Sequence, residues 1–189
     1  MFRCHHAPLA LPPATEARLA AAYAEPQRAY HTAAHITELL RWFDVLTDDV
    51  GWHDPAAVYH AILFHDAVYD PTRSDNEARS AELARAHGAS DRACELILLT
   101  AHHGKLAAAP DPDAAHFLDA DVAILAADPA AFAAYDAGIA FEYGHVPPDA
   151  YRAGRAAFLK SMLARPRIFL SDYFYTRLEA AARRNLSSS

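Results

Sequence analysis

The residues best suited to chemistry are an adjacent histidine and aspartate, His65 and Asp66, in the apolar stretch 61–69. The residues three and four positions on either side of His65 are apolar or aromatic, which places its imidazole on the buried stripe of a helix: Ala61, Ile62, Val68 and Tyr69. Burying an imidazole beside a carboxylate costs several kcal/mol unless both find partners. A divalent cation would satisfy both groups at once. A neutral core histidine hydrogen-bonded to a buried aspartate is the alternative.

His35 strengthens the metal hypothesis. It precedes Leu39 by four positions and Trp42 by seven, so it borders an apolar face. Its helix comes directly before the His65 helix along the chain, and consecutive helices commonly pack against each other. Two inward histidines and one inward aspartate would supply three ligands within reach of one ion.

A fourth ligand is expected from a carboxylate later in the chain. Asp121 has only apolar residues three and four positions away, whereas the corresponding neighbours of Asp119 are mixed. Asp121 is therefore the favoured ligand. For Asp119 three roles stay open: a ligand, a group that orients a ligand histidine, or a solvated carboxylate near a helix start.

The elements that carry these residues are predicted to be helices. Asp54-Pro55 and Asp128-Pro129 each place an N-cap before a proline suited to the first helical position, and Ser74-Asp-Asn-Glu77 has the form of a capping box. Nothing alternates with period two for long. The pattern predicts an all-α, single-domain bundle over 1–189, ordered over about 15–186, with the metal site in its core. The expected helices cover about 15–23, 32–46, 54–69, 74–88, 90–104, 114–126, 128–143, 147–164 and 171–184.

Composition narrows the possible functions. The net charge of −7 argues against a general nucleic-acid or anionic-membrane surface, because both usually require a basic face. Two cysteines give no disulfide framework, no apolar run is long enough to span a bilayer, and the first residues do not form a signal peptide. A cytoplasmic protein is therefore expected. The 12 histidines are unusually many and invite a metal hypothesis.

The order His35, then His65-Asp66, then Asp121 resembles the HD superfamily of metal-dependent phosphohydrolases. More closely, the chain resembles a bacterial group of predicted HD phosphohydrolases over about residues 23–186. The matching segments are YHTAAHI at 30–36, FHDAVYD at 64–70, DNEARSA at 75–81, TAHH at 100–103, FLDADVAIL at 117–125, EY at 142–143 and EAAARRNL at 179–186. The chain departs from that pattern at Thr32, where asparagine is usual, and at Ala140, where the group tends to have arginine.

The resemblance implies roles for individual residues. The Tyr-His-x-x-x-His pattern is similar to that of cyclic-nucleotide phosphodiesterases, which implies His35 as a metal ligand and His31 as the general acid. Asp66 would both bind the ion and take a proton from water. The mixed nitrogen and oxygen ligand set implies one divalent ion among Mn, Fe, Zn, Co, Ni and Mg. A two-metal site would need two more inward histidines, and the neighbours His102 and His103 cannot both turn inward.

Further residues are candidates for substrate binding or for support of the ligands: Asn76, Glu77, His103, Asp119, Glu142 and Arg155. Asn76 could face the cleft, whereas the capping box explains Glu77 equally well. His103 either lines the site or is a helix-end histidine favoured by the dipole. Arg155 either binds phosphate or is a surface charge.

The leading function is hydrolysis of a nucleotide or another small phosphate ester by metal-activated water. An iron oxygenase with a di-iron site and a non-catalytic nucleotide-binding regulator are the alternatives. The expected partner is a small phosphorylated substrate, with no nucleic acid and no membrane, and a homodimer stays open.

Overall fold

The structure is a computed structural model that describes residues 2–188. The all-α prediction is confirmed, since these residues form nine α-helices and one 3₁₀ turn, Ala123–Ala126, and no strand. None of the described helices is both long and apolar enough to cross a membrane. The helices are α1 Pro13–Ala22, α2 Ala33–Asp49, α3 Pro55–Phe64, α4 Asn76–Ala86, α5 Asp91–Thr100, α6 Pro112–Asp121, α7 Pro129–Glu142, α8 Pro148–Leu163 and α9 Asp172–Ser187.

Polar side chains set most of the helix starts. In six helices the N-cap side chain accepts a hydrogen bond from a backbone amide in the first turn, which typically stabilises a helix by about 1 kcal/mol. Proline follows three of these caps, at Pro55, Pro112 and Pro129, where its missing N–H costs nothing. The six capping residues are Thr32, Asp54, Ser90, Asp111, Asp128 and Ser171.

Four local predictions are wrong. The helix predicted to continue to Tyr69 ends at Phe64, so His65 is its C-cap and Asp66 follows it in a turn. The capping box at 74–77 does not form, because α4 begins after Asp75, whose side chain caps no amide. Helix α5 ends at Thr100 instead of reaching Gly104, and Gly104 adopts a φ of 77° that glycine reaches without strain. The helix predicted over 114–126 is interrupted after Asp121, where the 3₁₀ turn takes over.

The chain divides into two compact units, Met1–His102 and His103–Ser189. The single domain over 1–189 stays a prediction. In the first unit, α3 is the central element, because every residue from Ala57 to Phe64 is buried. Helices α2, α4 and α5 all pack against α3, and α4 also packs against α5.

In the second unit, α9 packs against α6, against α8 and against the 3₁₀ turn, and α7 packs against the same turn. Phe117, Phe169 and Phe174 are fully buried and form the centre of this unit's core. Helices α7 and α8 contribute little to that core. Phe132 is the only buried apolar residue of α7, and Leu159 and Met162 are the only ones of α8.

Candidate metal centre

The first unit brings His35, His65 and Asp66 together. The Nε2 atoms of His35 and His65 lie 3.3 Å apart, and Oδ2 of Asp66 lies 3.0 Å from Nε2 of His65 and 3.7 Å from Nε2 of His35. Both histidines are buried, with 6% and 1% of their surface exposed. Two nitrogens and one oxygen from three side chains thus converge on one point.

The separations fit ligands around one ion. Ligand atoms about 2.1 Å from a common ion lie about 3.0 Å apart in an octahedral arrangement and about 3.4 Å apart in a tetrahedral one. The three distances of 3.0, 3.3 and 3.7 Å bracket that range.

The His65 ring has a defined tautomer. Its Nδ1 lies 3.0 Å from the carbonyl oxygen of Ile62, and because a carbonyl only accepts, Nδ1 must carry the proton. In the neutral ring Nε2 therefore presents a lone pair to the Asp66 carboxylate. A second proton on His65 would relieve that repulsion but would bury a cation at 1% exposure. A divalent cation accepts both lone pairs at once, so the residues present fit a metal ion.

Arg28 holds the backbone on both sides of this cluster. Its guanidinium donates to the carbonyl of Asp66 at 2.7 Å, to that of His31 at 3.1 Å and to that of Ala67 at 3.4 Å. The side chain is fully buried and lies between the rings of Tyr23 and Tyr69, 5.2 Å from each centroid, and Glu25 pairs with it. Sequence reasoning missed Arg28. It lies in an irregular segment, where periodicity gives no signal, and an arginine in a loop is usually a surface charge.

His31 lies in the turn that leads into α2. Its ring packs on Tyr69, with centroids 4.4 Å apart, and its centroid is 6.0 Å from that of His35. The ring is half-buried. Thr32, the departure from the family pattern, caps α2 by accepting from the amide of Ala34 at 3.3 Å.

Two residues of α4 form hydrogen bonds with the backbone of the loop that follows Asp66. Asn76 accepts from the amide of Asp70 at 3.0 Å and donates to the carbonyl of Asp70 at 2.8 Å. Ser80 does the same for the backbone of Val68, at 3.0 and 3.3 Å. Glu77 is half-buried in the first turn of α4. The observed contacts of Asn76 are thus with the loop backbone, where the sequence suggested a cleft-facing residue.

In the second unit, Asp121 is the last residue of α6 and is half-buried. Its Oδ2 lies 2.6 Å from Nε2 of His103, the residue that the sequence suggested as site-lining. His103 belongs to a turn, so the alternative of a helix-end histidine on α5 is wrong.

Asp119 is buried, with 1% of its surface exposed, so the solvated-carboxylate alternative is wrong. One oxygen accepts from the amide of Leu170 at 2.7 Å, and the other accepts from the amide and the hydroxyl of Ser171 at 2.7 and 2.6 Å. Burial raises the pKa of Asp119 to about 6, although these hydrogen bonds act in the opposite direction. Its carboxylate joins α6 to the start of α9.

The two remaining candidates also lie in the second unit. Glu142 ends α7 and is buried at 4% exposure. Arg155 donates from Nε to Asp136 at 2.8 Å and from Nη1 to the hydroxyl of Tyr135 at 3.3 Å. Arg155 is therefore no free surface charge.

His35 and His65 of the first unit are among the residues that could hold a metal ion. Comparisons with family models, with curated proteins and with solved structures found no match for this chain.

Proposed function

We propose that this chain is a metal-dependent phosphohydrolase of the HD type that acts on a nucleotide or another small phosphate ester. The observation that carries the proposal is the convergence of His35, His65 and Asp66, whose ligand atoms lie within 3.7 Å of one another. The order of these residues along the chain, with Asp121 after them, supports the HD assignment.

In this proposal four side chains hold one divalent ion: His35, His65, Asp66 and Asp121. Asp121 is included because of its place in the sequence pattern. Asp119 is left out because its two oxygens already accept from Leu170 and Ser171. A mixed set of two imidazoles and two carboxylates suits Mn, Fe, Zn, Co or Ni better than Mg.

A bound divalent ion would lower the pKa of water and neutralise charge on phosphoryl oxygens. The chain itself supplies proton transfer. Asp66 takes a proton from the attacking water, and His31 gives a proton to the leaving alkoxide oxygen. His31 suits this task because an imidazole titrates near neutral pH and because its ring lies beside that of His35.

The test measures metal content and ester hydrolysis on the purified full chain. The protein is loaded with Mn, Mg, Zn or Ni and is given a panel of nucleotides, p-nitrophenyl phosphate and bis-p-nitrophenyl phosphate. We expect one ion per chain and release of phosphate or nitrophenol. His65→Ala should lose both the ion and the activity, whereas His53→Ala, at an exposed histidine before α3, should keep both.

Other results would refute the proposal. Two iron ions per chain with oxygen consumption and no hydrolysis would indicate an oxygenase. Binding of nucleotide without hydrolysis of any ester, with any of the four metals, would indicate a regulator. A chain that retains no divalent ion would refute the metal site itself.

A further inference from the structure

The second unit contains a cleft of about 800 Å³ between α7 and α8, closed at one end by the last turn of α9. Small side chains create it. Ala133, Ala137 and Ala140 follow one face of α7, and Ala156 lies on the facing side of α8. The cleft has the size of a small-molecule site.

One wall of the cleft holds donors that lack acceptors. Nη2 of Arg155 and the hydroxyl of Tyr151 are both buried, and neither has a hydrogen-bond partner among residues 2–188. The other nitrogens of Arg155 are directed to Asp136 and Tyr135. A buried donor without an acceptor costs about 1–3 kcal/mol. An anionic oxygen that accepts from either donor would offset that cost.

The charge of the cleft is opposite to that of the chain. Arg152, Arg155 and Lys160 line it, against a single carboxylate, that of Asp136. Arg152 pairs with Asp149 outside the cleft and Arg155 pairs with Asp136, so Lys160 supplies the excess of positive charge in the lining. The chain as a whole has a net charge of −7. A local excess of cations on an acidic protein favours an anionic ligand.

The remaining walls are apolar. Phe132, Leu159, Leu163 and Leu186 face the cleft around the alanines. We propose that the cleft binds a small amphipathic anion, with its carboxylate or phosphate at Arg155 and Tyr151 and its apolar body along the alanine faces. All of the residues in this proposal belong to the second unit, and none is a proposed metal ligand.

The test is calorimetric titration of the full chain in EDTA, so that an added phosphate cannot bind a metal ion. Octanoate and octyl phosphate are the probes, and their relative affinities distinguish a carboxylate ligand from a phosphate ligand. Inorganic phosphate supplies the charge alone, and octyltrimethylammonium supplies the tail with the opposite charge. We expect at least one octyl anion to bind one to one and both controls to bind at least about tenfold more weakly.

Two variants, each compared with a control variant, locate the site. Arg155→Met should weaken binding of the octyl anion at least about tenfold, whereas Arg184→Met, at an exposed arginine of α9, should not. Ala137→Leu fills the cleft and should abolish binding without removing any hydrogen bond. Ala134→Leu, on an exposed face of the same helix that does not line the cleft, should leave it unchanged.

The proposal is overturned if neither octyl anion binds saturably, or if Ala137→Leu binds as tightly as the unsubstituted chain. Because the titration needs no metal and no turnover, this result is independent of the phosphohydrolase test.

Discussion

Nε2 of His65 lies 3.0 Å from Oδ2 of Asp66, its neighbour in the chain, while Nδ1 of the same ring lies 3.0 Å from the carbonyl of Ile62. The hydrogen bond to the Ile62 carbonyl thus leaves Nε2 as the nitrogen that is available to a metal ion, and the Asp66 carboxylate lies beside Nε2. Under the proposed function, residues that hold the ion and a residue that only transfers a proton should respond differently to substitution.

His31→Ala should lower kcat by about 10²–10⁴, the usual range for the loss of a general acid, while metal content stays at that of the unsubstituted chain. Asp66→Ala should lose both metal and activity, because Asp66 is assigned both roles. Elemental analysis and steady-state kinetics on the same preparations check this division. Loss of the ion from His31→Ala would contradict it.

Arg28→Met should destabilise the protein by about 2–4 kcal/mol in urea unfolding, because it removes a buried guanidinium that satisfies three carbonyls. It should also weaken metal affinity about 10–100-fold, since those carbonyls belong to the segments that carry the ligands. Arg41→Met is the matched control. Arg41 is exposed, pairs with Glu38 in α2 and lies over the ring of its neighbour Trp42, so its loss should cost at most about 1 kcal/mol. Equal effects of the two substitutions would refute a positioning role for Arg28.

Removal of the ion with EDTA should leave the far-ultraviolet circular dichroism of the chain unchanged. The core of the first unit is built on α3. Its residues from Ala57 to Phe64 are all buried, and none of them is a proposed metal ligand. Adding metal at 100 times its Kd should raise the free energy of unfolding by about 2.7 kcal/mol through binding alone. Loss of helical signal on chelation would show instead that the ion is needed for folding.

His60 should make the stability of the first unit depend on pH. Burial lowers the pKa of His60 below its ordinary value of 6.5, so the unfolded chain binds a proton in a pH range where the folded chain does not. This contribution to stability is present above pH 6.5 and is lost as the pH falls below that value. His60→Gln cannot titrate, and its unfolding free energy should fall less than that of the unsubstituted chain on acidification from pH 7. Parallel pH profiles would contradict this prediction.

Cys4 should react slowly with thiol reagents. Burial and the hydrogen bond to Asp44 raise the pKa of its thiol to about 12. At pH 8 the thiolate fraction is then about three orders of magnitude below that of free cysteine. Reaction with Ellman's reagent in a Cys94→Ala background measures this rate, and Asp44→Ala should raise it. An unchanged rate in Asp44→Ala would refute the role of the carboxylate.

The helices and the cluster of proposed metal ligands could be predicted from the sequence because both follow local rules. Asp54-Pro55 and Asp128-Pro129 start helices where capping chemistry predicts them. His35 and His65 were placed together from the apolar residues spaced around them, and the structure puts their Nε2 atoms 3.3 Å apart.

The sequence analysis failed at residues whose role depends on partners that are distant in the chain. The role of Asp119 stayed open between three alternatives, because its partners Leu170 and Ser171 lie some fifty residues further on. Arg28 was not singled out, because the carbonyl of Asp66 that it binds is 38 residues away. A long-range hydrogen bond leaves no periodic trace in a single sequence.

Helices α7 and α8 together place only four residues in buried positions, Phe132, Glu142, Leu159 and Met162. Substitutions at exposed positions usually change stability by no more than about 0.5 kcal/mol. The surface of these two helices can therefore diverge through evolution at little cost to folding. If the cleft binds a ligand as proposed, proteins descended from a common ancestor could differ in their ligand preference there while His35, His65 and Asp66 stay as they are.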